Sequence, residues 1–288
     1  MTPKTLFIIK PGAGAGAGTR LPRHLAGNEA CTTCFTTRPG HAAELATAAL
    51  REGYARVVAV GGDGTLNEVG SALVGTNVVM GVIPLGSGNG LARHLGISTR
   101  VNKALRQLRD GKEMLLDAID INGKYSFNVS GFGLDAEVAL LFSRTSSRGF
   151  FSYARAAALL WFRHAGRRYT FRSGDAQWEE HCLIASVANS SRYGYNLSIA
   201  PSASASDGLL DLCIIKRPPL YLLPIYIFRA MTRRLANSRY YHASRHEEVI
   251  IEGDFPAGHL DGDPCTFTSP VRARVIPGAL RFIAPSSR

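Results

Sequence analysis

Two glycine-rich stretches carry the residue types that could hold a phosphate group. "GGDGT" at residues 61–65 and "LGSGNG" at residues 85–90 each follow an apolar run and precede a helix-like segment. Glycine lets the backbone approach a ligand closely, and a helix N-terminus presents N–H groups and a partial positive charge. One such stretch is typical of an ordinary turn, but two in successive units favour phosphate binding.

Asp63 is the unusual residue of the first stretch. A carboxylate repels phosphate unless a cation lies between them, so Asp63 suggests a bound Mg²⁺. Thr65, Ser87 and Asn89 can cap the helices that follow or bond to phosphate oxygens. Neither stretch continues into the Gly-Lys-Ser/Thr of a P-loop, and neither has Gly-x-Gly-x-x-Gly spacing.

A second group of carboxylates lies near the end of the chain, in "HLDGDP" at residues 259–264. In extended backbone, Asp261 and Asp263 would point to the same side. Two adjacent carboxylates are unfavourable unless they share a proton or a cation, so the pair could supply a general base and a Mg²⁺ contact. Asp-Gly and Asp-Pro are also ordinary turn sequences, and the residues alone leave both interpretations open.

Alternating strands and helices are predicted to position the glycine-rich stretches. Continuous apolar runs predict strands buried on both faces, and the segments between them have helical composition. The predicted strands are 4–10, 56–60 and 77–86, and the predicted helices are 40–53, 65–73 and 89–97. This order indicates a parallel sheet, at whose carboxyl edge both glycine-rich stretches would emerge. "PGAGAGAG" at residues 11–18 is predicted to be a flexible loop.

The pattern changes near residue 112. Residues 114–133 alternate in polarity and contain Asn122-Gly123, a strong hairpin signal. Further strand candidates are 181–190, 208–216, 247–253 and 271–280, interrupted by helix-like stretches at 136–165 and 220–237. We therefore expect an α/β nucleotide-binding domain at 1–115 and a mainly β sandwich at 116–288, with the last residues able to return to the first domain.

Composition restricts the class of protein. The 288 residues carry a net charge of +11 and a pI of about 9.7, which leaves anionic membranes, nucleotides and nucleic acids open as partners. Five widely spaced cysteines indicate a reducing compartment. No signal peptide is visible, and the longest apolar run, 220–228, is about half of a bilayer span. We expect a soluble or peripheral protein.

Two stretches mix aromatic residues with arginine, at 144–168 and 220–239. Either could be an interfacial helix on anionic lipid, or a helix packed on the sheet with solvated arginines. Both interpretations remain open from the sequence. A nucleic-acid binder is the weakest possibility, because it rests on charge alone and lacks a recognition motif. The oligomeric state is left open.

Several longer stretches closely resemble the diacylglycerol kinase catalytic-domain family, which includes bacterial lipid kinases and sphingosine kinases. These are "VVAVGGDGTLNEV", "GVIPLGSGNGLARHLGI" and "TTRPGHAAELA", followed in the family's order by "FNVSGFGLDAEV", "IAPSASASDGLLDL" and "HLDGDP". The resemblance covers nearly the whole chain. It implies an α/β nucleotide-binding domain, a β-sandwich domain, and ATP in the cleft between them.

The resemblance also implies which residues form the site. Residues implied to contact ATP are Thr37, Gly61, Gly62, Asp63, Gly64, Thr65, Asn67, Glu68, Gly86, Ser87, Gly88 and Asn89. Lys10 stands where the family usually has Asn, and it either contacts phosphate or lies at the surface. The proton acceptor is expected in 259–264, as Asp261 or Asp263. Asp135 either caps a helix or faces the active site.

A structural Mg²⁺ is also implied by the resemblance, held by Asp207 and the carbonyl groups of Ser204 and Leu209, an oxygen set suited to a hard cation. A serine-rich turn without metal is the alternative. Gly90 stands where bacterial relatives often have Asp, and Asp263 stands where many have Glu. These departures bear on the substrate and the metal more than on the activity.

The implied activity is transfer of the γ-phosphate of ATP to a hydroxyl group of diacylglycerol or a related lipid. An Asp would accept the hydroxyl proton, and Mg²⁺ would neutralise the phosphates. We expect a cytoplasmic protein that associates peripherally with an anionic membrane surface. Two alternatives remain. One is an NAD kinase-like enzyme acting on a soluble hydroxyl substrate, since "GGDGT" also occurs in that family. The other is an inactive lipid- or nucleotide-binding regulator.

Overall fold

The computed structural model describes residues 3–25, 30–143, 159–161, 165–193, 197–255 and 257–286 of the chain. The chain divides into two compact units. Unit 1 contains Met1–Leu116 and Gly278–Arg288, and unit 2 contains Asp117–Pro277. The chain therefore leaves unit 1 after Leu116 and returns to it at Gly278.

Unit 1 is built on a parallel sheet whose strands are almost continuously apolar. The four strands, in the spatial order β2-β1-β3-β4, are β1 (Thr5–Ile9), β2 (Cys31–Phe35), β3 (Arg56–Gly61) and β4 (Val79–Pro84). Every pairing among them is parallel. The central strands β1, β3 and β4 are buried along most of their length, as expected for a sheet covered on both faces. The α/β fold expected from the sequence is confirmed.

Among the described residues of unit 1, five α-helices connect and cover these strands. They are α1 (Ala17–Leu25), α2 (His41–Arg51), α3 (Asp63–Leu73), α4 (Gly90–His94) and α5 (Val101–Asp110). The prediction of a flexible loop at 11–18 is wrong, because residues Ala13–Gly16 form a 3-10 helix that leads into α1. Alanine is the strongest helix former and offsets the cost of the interspersed glycines.

Unit 2 is a sandwich of antiparallel strands, as expected. One sheet has six strands in the order β12-β11-β10-β7-β14-β15. These are β7 (Val129–Gly133), β10 (Ile184–Ala188), β11 (Leu210–Ile215), β12 (Tyr241–His246), β14 (Gly258–Leu260) and β15 (Asp263–Cys265). A core of large apolar side chains, including Phe132, Phe171 and Ile251, is buried between this sheet and the other one.

The other sheet of unit 2 is formed by β8 (Arg167–Ser173), β9 (Ala176–Cys182), β13 (Glu248–Glu252) and parts of two long strands. The long strands are β5 (Lys112–Ile121) and β16 (Val271–Ala284). The first residues of β16, Val271–Arg274, pair with β13 in antiparallel register. Near the other end of β16, Phe282 pairs with Met80 of β4. Both long strands run across a boundary between the units.

Two turns in unit 2 have the positive φ angles of tight hairpins. Asn122 and Gly123, with φ of 50° and 83°, connect β5 to β6 (Lys124–Ser126), which confirms the predicted hairpin. Asp261 and Gly262, with φ of 51° and 94°, connect β14 to β15 in the same way. The second turn places one of the predicted catalytic carboxylates at the tip of a hairpin.

Two α-helices of unit 2 lie wholly within the described residues, and residues 159–161 are helical as well. Helix α6 (Leu134–Ser143) follows β7, and helix α7 (Leu223–Met231) lies between 3-10 helices at Leu220–Leu222 and Leu235–Asn237. The predicted helix-like stretch at 220–237 is thus an α-helix over Leu223–Met231, with a 3-10 helix on either side. Most of the predicted stretch 144–168 lies outside the described residues. No helix in the described part of the chain is long and apolar enough to cross a membrane.

Candidate active site

The two glycine-rich stretches of unit 1 pack directly against each other. A Cβ atom added to Gly86 would lie 2.5 Å from the Cα atom of Gly62, and one added to Gly62 would lie 3.2 Å from that of Gly86. The N–H groups of Leu85 and Gly86 both donate to the carbonyl of Gly61, at 2.7 and 3.2 Å. The neighbouring backbone therefore requires glycine at 86 and leaves little room for a side chain at 62, before any ligand is considered.

Asp63 joins the two stretches through its side chain. Its Oδ2 atom accepts a hydrogen bond from the N–H of Asn89, and its Oδ1 atom accepts one from the N–H of Gly90, both at 2.8 Å. These N–H groups belong to the start of α4, which leaves them without partners inside the helix. A negative carboxylate at a helix N-terminus is also favourable. Asp63 thus holds the second stretch in place, and its role toward Mg²⁺ stays a prediction.

The side chain of Asn89 closes the second stretch on itself. Its Oδ1 atom accepts from the N–H of Gly86 at 2.9 Å, and its Nδ2 atom donates to the carbonyl of Gly86 at 2.6 Å. Asn89 has a φ of 53° and is buried. Ser87 is exposed and Gly88 is half-buried, so the tip of the stretch points outward. Asn89 shapes the loop, and Ser87 is its accessible side chain.

Helix α3 begins directly at the first stretch. Its first-turn N–H groups, which include that of Gly64, have no acceptor inside the helix, and its dipole places partial positive charge there. The Thr65 side chain is buried over Gly61, since a Cβ on that glycine would lie 2.4 Å from Thr65 Oγ1. The Thr65 hydroxyl therefore packs against Gly61, and the contact of Thr65 with ATP stays a prediction. Asn67 is half-buried on the second turn and accepts from Ser71 Oγ at 3.4 Å.

Glu68 caps a neighbouring helix. Its two carboxylate oxygens accept hydrogen bonds from the N–H groups of Gly40 and Ala42, each at 3.0 Å, at the start of α2. Just before α2, the exposed Thr37 places both its N–H and its Oγ1 atom 3.1 Å from Nδ1 of His41. Glu68 thereby fixes the turn that presents Thr37, while its own oxygens are engaged by the backbone.

Lys10 lies where the strand order of unit 1 reverses. After β1 the chain forms β2 on one side of β1, and it then crosses over to form β3 on the other side. The carboxyl ends of β1 and β3 therefore flank the topological switch point. Ligands of open α/β sheets bind at that position. Lys10 follows β1, is exposed, and donates its N–H to the carbonyl of Val60 at 2.9 Å. Lys10 therefore lies beside the first glycine-rich stretch, and its contact with phosphate stays a prediction.

In unit 2, Asp261 is buried and surrounded by hydrogen-bond donors. Its Oδ1 atom accepts from Ser126 Oγ at 2.6 Å and from the N–H of Asn128 at 2.9 Å. Its Oδ2 atom accepts from the N–H of Phe127 at 2.9 Å. Asp261 is 6% exposed, whereas Asp263, the first residue of β15, is exposed. The two carboxylates therefore have different environments, and Asp261 ties its hairpin to the segment between β6 and β7.

Asp135 lies in the first turn of α6 and is also buried. Its Oδ2 atom accepts from Ser186 Oγ and from His259 Nε2, both at 3.1 Å, and from the hydroxyl of Tyr193. Because the N–H of Gly262 donates to Nδ1 of His259 at 3.2 Å, the ring carries its proton on Nε2 and directs it at Asp135. The carboxylate thus has several donors, and none of these three partner side chains was identified from the sequence.

An apolar cavity of about 190 Å³ opens beside Asp135 in unit 2. Its lining includes Val138, Trp161, Leu183 and Ile227, and Asp135 is the charged residue among the described residues that line it. Helices α6 and α7 supply two of its walls. Asp135 therefore lies in the first turn of α6 and lines this cavity, and its place in the active site stays a prediction. The cavity could hold a hydrocarbon chain, with a polar group placed against Asp135.

The predicted Mg²⁺ site near Asp207 has a mixed set of neighbours. Asp207 Oδ1 accepts from the N–H of Leu209 at 3.2 Å, and its Oδ2 lies 3.9 Å from Arg245. Asp211 is buried, its Oδ1 lies 3.7 Å from Arg245, and its Oδ2 atom has no hydrogen-bond partner. Burial raises the pKa of Asp211, against a lowering by Arg245. A buried carboxylate oxygen without a hydrogen bond, at the start of β11 beside the Asp207 turn, fits a hard cation.

Two further observations bear on metal binding. Within the described ranges, no cluster of three or more His, Cys, Asp or Glu side chains could hold a metal ion. The set predicted here would rely on backbone carbonyls, at Ser204 and Leu209, beside the carboxylates. All five cysteines are free, and burial raises the pKa of the Cys31 and Cys34 thiols.

Comparison with known families and proteins places the chain clearly. The family described as "Diacylglycerol kinase catalytic domain" matches residues 4–121, and "YegS C-terminal NAD kinase beta sandwich-like domain" matches residues 128–284. The "Probable lipid kinase YegS" of Salmonella arizonae is 30% identical over 267 residues, covering 87% of this chain and 85% of that protein. "Probable lipid kinase YegS-like" of Shewanella frigidimarina is 29% identical, with coverages of 83% and 79%.

A crystal structure of a diacylglycerol kinase from Bacillus anthracis has a similar fold. The two chains superpose with a TM-score of 0.80 at 21% sequence identity, covering 98% of this chain and 96% of the other. At that identity the likeness shows a shared fold. The sequence relatives, by contrast, are similar enough over most of their length to show a shared family.

Proposed function

The chain belongs to the diacylglycerol kinase catalytic-domain family of lipid kinases, and from this premise we propose that it transfers the γ-phosphate of ATP to a hydroxyl group of diacylglycerol or a closely related lipid. Unit 1 binds the nucleotide and unit 2 binds the lipid. Each half of the proposal has support from the described residues, and the acceptor half is carried by the apolar cavity beside Asp135.

The cavity favours a lipid over a soluble substrate as the acceptor. A lipid chain gains free energy when it leaves water for an apolar wall such as that of Val138, Leu183 and Ile227. A dinucleotide such as NAD would lose the hydration of its charged and polar groups there without finding enough partners. Asp135 and Tyr193 lie at the same cavity, where they can bond to a hydroxyl group of the lipid.

The nucleotide half is supported by the edge of the unit 1 sheet. Lys10, the N-terminus of α3 and the exposed Ser87 all follow carboxyl ends of strands. Backbone N–H groups and positive charge at such an edge stabilise the charge that develops on phosphoryl oxygens during transfer. Gly62 and Gly86 allow the two loops to approach each other. The exposed Thr37 is the further candidate contact to the nucleotide.

Asp263 is the better candidate for the proton acceptor. The lipid oxygen attacks the γ-phosphorus, its proton passes to the Asp263 carboxylate, and ADP leaves with the electrons of the broken P–O bond. Asp263 is exposed at the start of β15, so a substrate can reach it. Asp261 accepts three hydrogen bonds from donors of its own unit. These bonds suit a residue that holds the β14–β15 hairpin in place and thereby positions Asp263.

Mg²⁺ would serve in two places. A bound ion would neutralise the negative charge of the phosphates, and Asp63 would hold it through carboxylate oxygens that each have about two lone pairs. The second place is the turn at Asp207 with Asp211 at the start of β11, where the ion would take oxygen ligands and add to stability. Asp211 has a buried oxygen without a hydrogen bond, and this supports the assignment.

The proposal is tested by incubating the pure protein with Mg-ATP and a total lipid extract, followed by mass spectrometry of the lipids. We expect one lipid class to gain a phosphate group. A parallel incubation with NAD tests the NAD kinase-like alternative, which predicts NADP and no labelled lipid. If ATP binds but neither acceptor is phosphorylated, the chain is an inactive binding protein and the proposal is wrong.

A matched pair of variants tests the proton acceptor. We expect Asp263→Asn to lose about 10²–10⁴-fold in kcat, the range that general-base catalysis contributes, with its affinity for ATP intact. Asp175→Asn is the control, because Asp175 is also exposed in unit 2 but lies in the turn between β8 and β9. Equal activity of both variants would exclude Asp263 as the base.

A further inference from the structure

Helix α7 and the 3-10 helix before it are apolar on their outer surface. Among the described residues, nine large hydrophobic side chains are exposed, and five of them lie within residues 220–231. They are Leu220, Tyr221, Ile225, Phe228 and Met231, with exposed fractions of 44%, 77%, 46%, 60% and 45%. Tyr221, Ile225 and Phe228 follow the spacing of one helical face. We call these five residues the outer α7 face.

The opposite side of α7 is apolar too. Leu223, Tyr226, Ile227 and Ala230 line the cavity beside Asp135. A helix on the surface of a soluble protein normally has a polar outer face, and a helix that is apolar all round is normally buried. The outer α7 face therefore has the composition of a surface that something covers.

The charge around this face is of one sign. Between Asp211 and Glu247 the sequence contains no acidic residue, and the seven basic residues there are Lys216, Arg217, Arg229, Arg233, Arg234, Arg239 and Arg245. Arg233, Arg234 and Arg239 are exposed just beyond the end of α7. An apolar face bordered by arginines complements a surface that is hydrocarbon inside and anionic at its polar boundary.

We infer that the outer α7 face is a docking surface for an anionic lipid bilayer. Phe228, Ile225 and Tyr221 enter the acyl region, and the arginines beyond the helix bind anionic head groups. Because the cavity lies directly behind α7, the same helix separates the bilayer from the space in which a lipid chain can lie. Passage of a lipid across this helix rests on the proposed function, whereas binding of the bilayer does not.

Vesicle sedimentation tests the inference without nucleotide and without turnover. We expect the protein to bind mixed vesicles of phosphatidylcholine and phosphatidylglycerol, and to bind phosphatidylcholine vesicles much less. Phe228→Ser should weaken binding about tenfold, the loss expected for one buried aromatic side chain. Phe35→Ser is the matched control, because Phe35 is exposed by 41% but lies in β2 of unit 1.

A second pair of variants tests the charge. Replacing Arg234 and Arg239, both exposed beyond the end of α7, by Gln should weaken binding to anionic vesicles about thirtyfold, at about 1 kcal/mol per charge. The control replaces Arg106 and Arg109 of α5, which are also exposed but belong to unit 1. Neither Phe228 nor these arginines line the cavity. Phosphorylation of a short-chain lipid dissolved as monomers should therefore remain unchanged in the variants.

Three results would overturn the inference. The first is absence of binding to anionic vesicles, and the second is an equal loss in the control variants. The third is a wild-type dimer that Phe228→Ser dissociates while vesicle binding stays intact, which would make the face a contact between two copies of the chain. Vesicle binding with the expected variants, but without lipid phosphorylation, would keep the docking surface and refute the proposed function alone.

Discussion

Asp63 should be essential to the stability of unit 1 as well as to phosphate transfer. In Asp63→Ala, the N–H groups of Asn89 and Gly90 lose their acceptors. A hydrogen bond to a charged group contributes about 1.5–3 kcal/mol. Asp63 is half-buried, so the lower value applies to each bond, and we expect a loss of about 3 kcal/mol in the free energy of unfolding. Asp63→Asn keeps one acceptor and should lose about half as much.

Urea unfolding followed by two signals measures this effect. Far-UV circular dichroism reports helices of both units, whereas both tryptophans, Trp161 and Trp178, lie in unit 2. With a typical urea slope, a loss of about 3 kcal/mol lowers the midpoint by about 1–2 M. The shift should therefore appear in the circular dichroism signal before the tryptophan signal. Asp110→Ala removes an exposed carboxylate at the end of α5 and serves as the control.

The outcome separates two roles for Asp63. If the residue only bridges Mg²⁺ to phosphate, the variants unfold at the wild-type urea concentration and lose only Mg-dependent nucleotide binding. A change of less than about 0.5 kcal/mol in Asp63→Ala would refute the structural argument, because such values are typical of surface substitutions without a specific role.

Three other substitutions have expected outcomes. In Gly86→Ala the added Cβ would lie 2.5 Å from Gly62 Cα, so ATP binding and the free energy of unfolding should each weaken by about 1–3 kcal/mol. Gly12→Ala is the control, because its Cβ would have no atom within 4 Å. Calorimetry should show its ATP affinity unchanged, and urea unfolding should show its stability unchanged. Glu68→Gln should lower stability by about 1 kcal/mol in the same unfolding assay, because a cap of α2 is weakened. Asp211→Asn should abolish any Mg²⁺-dependent rise in melting temperature.

The raised pKa of Asp211 predicts how the stability difference between wild type and Asp211→Asn changes with pH. Burial disfavours the ionised form of Asp211, so the folded protein holds the proton of this carboxyl group more strongly than the unfolded chain does. Its contribution to stability is present below the unfolded pKa of about 3.9 and is lost as the pH rises through the higher folded pKa. Without Mg²⁺, Asp211→Asn should gain stability over wild type between acidic and neutral pH in thermal melts. A constant difference across that range would contradict this origin.

The sheet and the glycine-rich stretches were predictable because local sequence determines them. Continuous apolar runs such as β3 and β4 identify buried parallel strands, and Asn122-Gly123 identifies a hairpin. The β8–β9 hairpin was missed, since its strands carry charged residues on one side and only alternate positions, such as Tyr169 and Phe171, are buried. Period-two patterns of that kind are weak in short charged strands.

The functions of single site residues were less predictable, because they depend on contacts far apart in the chain. Nothing local shows that Asp63 binds the start of α4, 26 residues later, or that Glu68 reaches back to Gly40. His259 lies in a motif that the sequence had identified, but its bond to Asp135 joins residues 124 positions apart. The sequence therefore identifies candidate site residues, whereas their hydrogen-bond partners become known only from the fold.

The central claim is that the lipid acceptor lies in the apolar cavity of unit 2, and filling that cavity tests it most directly. Ala230 lines the cavity, whereas Ala236 is exposed on the 3-10 helix that follows. The measurement is the rate of lipid phosphorylation, with ATP affinity measured beside it, in Ala230→Trp and Ala236→Trp. We predict that Ala230→Trp loses lipid phosphorylation with ATP affinity unchanged, and that Ala236→Trp keeps both. Full lipid phosphorylation by Ala230→Trp would contradict the account.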